Sequence, residues 1–141
     1  MKTLYPIFCL FFLTAPTLAQ ENSSAGDLDL CKSNLQTLGT ALEKWATNNS
    51  GLYPDTMGQL FPDYLATPLL CPTKDSDTYS TSYYHGEARF WCQLRCTGDH
   101  TGADLPKGLP AYTSEWGLIT TTDELKLHYK REPLLAPPLT R

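Results

Sequence analysis

Between Leu28 and Trp45 the apolar positions recur at alternating steps of three and four: Leu28, Cys31, Leu35, Leu38, Leu42 and Trp45. That spacing draws one narrow stripe along a helix of about 22 residues, roughly 33 Å long. Lys32, Gln36, Glu43 and Lys44 fall on its other faces. Asp27 is placed to cap the N-terminus, and Asp29 suits the positive end of the helix dipole. Asn48-Asn49-Ser50-Gly51 closes the pattern, with Gly51 or an asparagine able to adopt the left-handed C-cap conformation. A long amphipathic helix is predicted.

Beyond it the period changes. Pro54-Asp55-Thr56 opens a new element, and Met57, Leu60 and Phe61 form one short helical turn that Pro62 interrupts. "ATPLLCP" is an extended connector. "DTYSTSYY" and "EARFWCQL" read as two strands about a turn at His85-Gly86. "CTGDHTGADLPKGLP" is loop, and "AYTSEWGLIT" supplies a last strand or an extended closing segment. "ELKLHY" is a possible short element before Pro133, Pro137 and Pro138, which make the tail of residues 122–141 disordered. The order predicts an α+β domain over residues 27–121, one long N-terminal helix packed on a small antiparallel sheet.

The first 19 residues stand apart. Lys2 precedes "LYPIFCLFFL", and Thr17-Leu18-Ala19 offers a small-x-small cleavage site between Ala19 and Gln20. This is the layout of a secretory signal peptide, and the apolar run falls well short of the roughly 20 residues of a spanning helix. A membrane association is expected only if that segment is retained. Residues 20–26 form a flexible polar leader.

Export changes how the cysteines are read. Cys9 leaves with the signal, and Cys31, Cys71, Cys92 and Cys96 remain. An even count in a small exported protein favours disulfides, with three possible connectivities. A strand running from residue 88 through Cys96 would hold Cys92 and Cys96 roughly 13 Å apart, too far to bridge without a turn at Gln93-Leu94-Arg95. The expectation is at least one long-range bridge tying the helix or its following loop to the sheet.

Charge adds little. The chain carries 11 basic and 15 acidic side chains for a formal charge of −4, and no basic stripe. Nucleic acid and anionic membrane surfaces are poor partners for such a surface.

Four candidate chemistries compete with plain packing. Cys92, Cys96 and His100 have the spacing C-x3-C-x3-H, which offers three zinc donors with His85 or Asp99 as a fourth. Disulfide pairing in an exported chain outweighs that reading, so no metal is expected. Asp99 and Asp104 carry oxygen ligands for calcium, but their spacing fits a solvated turn better. No G-x-S-x-G or H-E-x-x-H motif is present, and no catalytic residue, enzymatic activity or cofactor is expected. Tyr83, Tyr84, Trp91 and Trp116 are candidates for an interaction face, beside their ordinary use as strand formers.

The run "CKSNLQTLGTALEKWATNNSGLYPDTMGQL" resembles the start of the globular part of bacterial type IV pilins and type II secretion pseudopilins. Leu38, Ala41, Leu42, Glu43, Trp45, Asn49, Gly51, Tyr53 and Pro54 carry the likeness. "LLCPTKDSDTYS", "CTGDH" and "YTSEWGLI" are similar to segments of a soluble pilin-like subgroup. The prepilin peptidase site and its long apolar helix are missing, and a cleavable signal stands in their place. The resemblance implies a secreted, periplasmic or cell-surface domain without enzymatic activity. Its partners would be proteins, such as a filament or a secretion apparatus. The alternative is a disulfide-stabilised secreted binding or inhibitor protein unrelated to pili.

Overall fold

A computed structural model describes residues 23–100, 105–106 and 108–129. The signal segment with Ala19 and Gln20, and the tail past Tyr129, lie outside the described residues.

The stripe folds as expected and runs further. Helix α1 spans Ser23–Asn48, so Asp27 sits inside the first turns rather than at the cap. Leu28, Cys31, Leu35, Leu38, Ala41, Leu42 and Ala46 are buried, and Trp45 is half-buried against the same core. Full burial of each leucine contributes about 1.5–3 kcal/mol, which offsets part of the entropy of ordering the helix. The helix ends where Ser50 (φ 58°) and Gly51 (φ 81°) turn left-handed, and the Gly51 amide donates back to the Ala46 carbonyl at 2.8 Å. No helix among the described residues is long and apolar enough to cross a membrane.

The sheet is a four-stranded antiparallel meander in sequence order, β1 (Tyr84–His85), β2 (Cys92–Arg95), β3 (Ala111–Thr113) and β4 (Gly117–Ile119). Helix α1 lies across β3 and β4. Register decides which side chains meet it. Leu94 pairs with Tyr112 and Tyr112 with Leu118, and this row faces α1. The neighbouring row, Arg95, Ala111 and Ile119, points to the opposite face, where Ala111 and Ile119 pack with Leu109 and Trp116. A period of two separates the faces.

Two expectations are corrected. The segment at 77–84 is not a strand: Asp77 Oδ1 accepts from the amides of Tyr79 and Ser80 at 2.9 Å each, which starts a 3-10 turn at Ser80–Ser82. Aspartate and serine side chains compete with the ladder for backbone partners, and only Tyr84–His85 pairs with β2. The closing segment is a whole hairpin, because Gly117 (φ 74°) permits the tight return after Thr113. A further short helix, α2 (Thr122–Tyr129), follows it.

Helix and sheet are also joined by polar contacts. Glu43 Oε1 accepts from the Tyr53 hydroxyl at 2.8 Å and from the Tyr112 hydroxyl at 3.0 Å. Gly39 leaves the helix surface open where the Tyr112 ring rests on it.

Candidate metal centre

Three segments distant in sequence converge at the N-terminal half of α1. Cys31 comes from the buried stripe. Cys71 opens a tight turn in which the amides of Lys74 and Asp75 donate to its carbonyl at 3.1 and 2.7 Å. Asp75 takes a left-handed φ of 47° there, and Cys71 and Ser76 form an isolated antiparallel bridge. Cys96 lies just past the end of β2, and His100 follows four residues later.

The donor atoms of these four buried residues all lie within 4.8 Å of one another. The sulfurs of Cys31 and Cys71 are 3.6 Å apart, those of Cys31 and Cys96 3.4 Å, and those of Cys71 and Cys96 3.3 Å. His100 Nε2 is 3.3 Å from the Cys96 sulfur. A tetrahedral zinc with Zn–S of about 2.3 Å and Zn–N of about 2.0 Å sets S···S near roughly 3.8 Å and S···N near roughly 3.6 Å. The three S···S edges and the Cys96–His100 edge are a few tenths of an ångström shorter, while the set as a whole reaches 4.8 Å.

Each sulfur has its own outer partner. The Thr73 hydroxyl lies 3.1 Å from Cys71 Sγ, and the Thr73 amide also donates to it. The Gly98 amide donates to Cys96 Sγ at 3.4 Å, with the Thr78 hydroxyl 3.5 Å from the same sulfur. Tyr79 reaches the Cys31 sulfur with its hydroxyl, which Asn34 Nδ2 holds from behind at 3.1 Å. Cys71-Pro72-Thr73 and Cys96-Thr97-Gly98 are thus two short turns that aim an amide two residues on at the cysteine's own sulfur. Gly98 is required for the second, since a Cβ there would collide with the Cys71 sulfur and the Thr73 hydroxyl.

Protonation follows from these surroundings. Burial pushes the Cys31 thiol up, against the Tyr79 hydrogen bond, and pushes Cys96 up, against the Thr78 hydrogen bond. Cys71 is held below the usual thiol value: burial opposes ionisation, but the Thr73 hydroxyl, the Cys96 thiol and the Thr73 amide outweigh it. Burial also lowers His100, against the Asp27 and Asp99 carboxylates, and leaves its imidazole neutral. The Nδ1 atom of His100 is buried and has no hydrogen-bond partner among the described residues.

None of the expected disulfides is at bonding distance among Cys31, Cys71, Cys92 and Cys96, and three of these cysteines meet at a point instead of pairing. The expectation that no metal is held rested on that pairing and loses its basis. Of the three zinc donors weighed from spacing, Cys96 and His100 belong to the cluster and Cys92 does not. Cys92, Leu94 and Cys96 share one face of β2, and the four-residue step carries Cys92 roughly 13 Å along the strand. There it sits buried near Glu43, with its backbone tied to Ser114. Neither His85 nor Asp99 is in the cluster. Asp104 lies outside the described residues.

The aromatic candidates divide. Tyr83 is half-buried and donates to the Pro54 carbonyl at 2.7 Å. Tyr84 is 45% exposed, tilted against Trp91 at a centroid distance of 5.4 Å, and Phe90 beside them is 67% exposed. Trp116 packs on the opposite face of the sheet, away from this edge. In comparisons with known proteins, no family model, curated protein or solved structure matches the chain.

Proposed function

We propose that the protein is an exported, non-enzymatic, pilin-like domain that acts through protein contacts at or outside the bacterial cell envelope. The supporting observation is the sheet edge at β1. That strand is two residues long; its Tyr84 is exposed and tilted against Trp91, and Phe90, which precedes Trp91 in the chain, is exposed as well. Exposed aromatic rings gathered at one place suit a protein-binding surface better than a solvated one. The cluster of Cys31, Cys71, Cys96 and His100 suits scaffolding, because four protein donors enclose any ion they hold and leave no position for substrate. Partners of this kind are a filament subunit, a component of a secretion apparatus, or an extracellular protein.

Site-specific photocrosslinking in cells tests the reading, combined with fractionation and mass determination of the mature N-terminus. A start at Gln20 and a discrete protein adduct from Phe90, with none from Lys44 on the exposed side of α1, are expected. No adduct from Phe90 or Tyr84 would sink the contact surface, and a product retained in the cytoplasm would sink export.

A further inference from the structure

We propose that Cys31, Cys71, Cys96 and His100 form a structural Zn2+ site that fastens the N-terminal half of α1 to the turn at Cys71 and to the end of β2. This goes beyond the contact function above and stands whether or not that function holds.

The donor set selects the class of ion. Three sulfurs and an imidazole nitrogen are soft or borderline ligands, suited to zinc and unsuited to calcium or magnesium. Geometry selects four-coordination, because the S···S separations of 3.3–3.6 Å are nearly equal and a nitrogen completes the set at 3.3 Å from Cys96. A disulfide explains less. Joining any two of the three sulfurs would strand the third cysteine and His100 in a buried pocket.

The outer shell supplies an independent argument. Backbone amides of Thr73 and Gly98, and hydroxyls of Thr73, Thr78 and Tyr79, converge on the three sulfurs. Neutral thiols gain little from so many donors. Three thiolates on a divalent cation carry a net charge of −1, which those donors stabilise. Gly98 belongs to the same design, since the approach of its backbone to Cys71 leaves no space for a side chain. The role is structural: Cys31, Cys71 and Cys96 are at most 1% exposed and His100 is 7% exposed, and four protein donors fill a tetrahedral coordination sphere.

Binding displaces the protons that the thiols still hold and links residues otherwise brought together only by packing. The N-terminal half of α1 faces a chain segment, residues 66–79, that has few regular hydrogen bonds of its own. Metal is therefore expected to order this end of the molecule more than the sheet.

The test uses untagged full-length protein, purified without chelator and analysed by elemental mass spectrometry. About one zinc per chain is expected, with Cys31, Cys71, Cys92 and Cys96 all unoxidised. Replacement of zinc by Co2+ should give the strong visible absorption of a tetrahedral thiolate site, and 113Cd2+ should report three sulfurs and one nitrogen. Cys71→Ser and His100→Ala should each weaken Zn2+ binding by at least roughly tenfold, whereas Cys92→Ser should leave the stoichiometry at one. If Cys71→Ser does not fold, the cadmium spectrum of the unmodified protein still decides. Two stoichiometric disulfides without metal, iron in place of zinc, or loss of metal in Cys92→Ser would each overturn the proposal.

Discussion

Gly98 backs onto the Cys71 sulfur so closely that a single added methyl would overlap both that sulfur and the Thr73 hydroxyl. Two loops from different parts of the chain interlock there. The contact is made between backbone and side chain, so neither can yield without moving a cysteine.

Gly98→Ala should therefore separate the Cys71 and Cys96 turns. The cost expected of overpacking is about 1–3 kcal/mol, together with roughly tenfold weaker Zn2+ binding in competition with a chromophoric chelator. Gly26→Ala is the control: nothing lies within 4 Å of its would-be Cβ, and it should stabilise α1 by up to about 1 kcal/mol. Equal metal affinity in both variants would show that the close approach is unimportant.

A second junction lies further along the helix, at Glu43. Its Oε1 receives hydroxyls from Tyr53 and Tyr112, and both hydroxyls are buried enough that burial, followed by the carboxylate, pushes their ionisation up. Glu43→Ala should cost about 2–4 kcal/mol in urea denaturation, since two buried donors lose their acceptor. Tyr112→Phe alone should cost about 1–2 kcal/mol. A double-mutant cycle between them should show coupling of at least about 0.5 kcal/mol, and additivity would remove the junction.

Cys92 is expected to behave as an inert core residue. Burial, reinforced by Glu43, pushes its thiol up to about 12, so no useful thiolate exists at neutral pH. Iodoacetamide should modify it only after denaturation. Rapid labelling of native Cys92, mapped by peptide mass, would contradict its placement beneath α1.

The start of α2 should respond to acid. Glu124 Oε2 accepts from the amides of Thr120 and Thr121 at 2.8 and 3.0 Å, while the Thr121 hydroxyl accepts from the Glu124 amide at 3.2 Å. The Thr120 amide, more than any other partner, holds the carboxyl below its ordinary value of 4.5, and the remaining hydrogen bonds outweigh slight burial. The sign follows from the lowered value. The contribution is complete above 4.5 and is lost as pH falls through the folded-state value. Amide protection in Thr122–Tyr129, relative to the intrinsic exchange rate at each pH, should fall over that interval, and Glu124→Gln should abolish that fall without changing protection in α1.

How much of this was legible along the chain depended on whether a feature was local. The stripe from Leu28 to Trp45 announced α1 because a helix writes its period into adjacent residues, and the helix-on-sheet arrangement followed from the order of elements. The strand expected at 77–84 failed because Asp77 captures two amides that the ladder would need. The metal centre was hidden more deeply. Its ligands stand at 31, 71, 96 and 100, and only Cys96 and His100 are close enough in sequence to read as a pair. Cys31 looked like one more stripe residue, which it also is. Cys92 misled, since it shares a face with Cys96 yet lies too far along the strand to join it. The signal overlooked was the shape common to Cys71-Pro72-Thr73 and Cys96-Thr97-Gly98, two cysteines each opening a tight turn that ends in a small residue.

The meeting of Cys31 with Cys71 and Cys96 spans 40 and 65 residues of chain. Closing the longer of these loops by a permanent cross-link would remove about 4 kcal/mol of freedom from the unfolded chain. A bound ion confers a comparable constraint, but one that forms and dissolves with occupancy. A chelator or an excess of protons can undo such a fastening, whereas a disulfide requires a reductant. The hold on this end of the molecule is then set by how much metal its surroundings supply and by how long the ligating sulfurs escape oxidation.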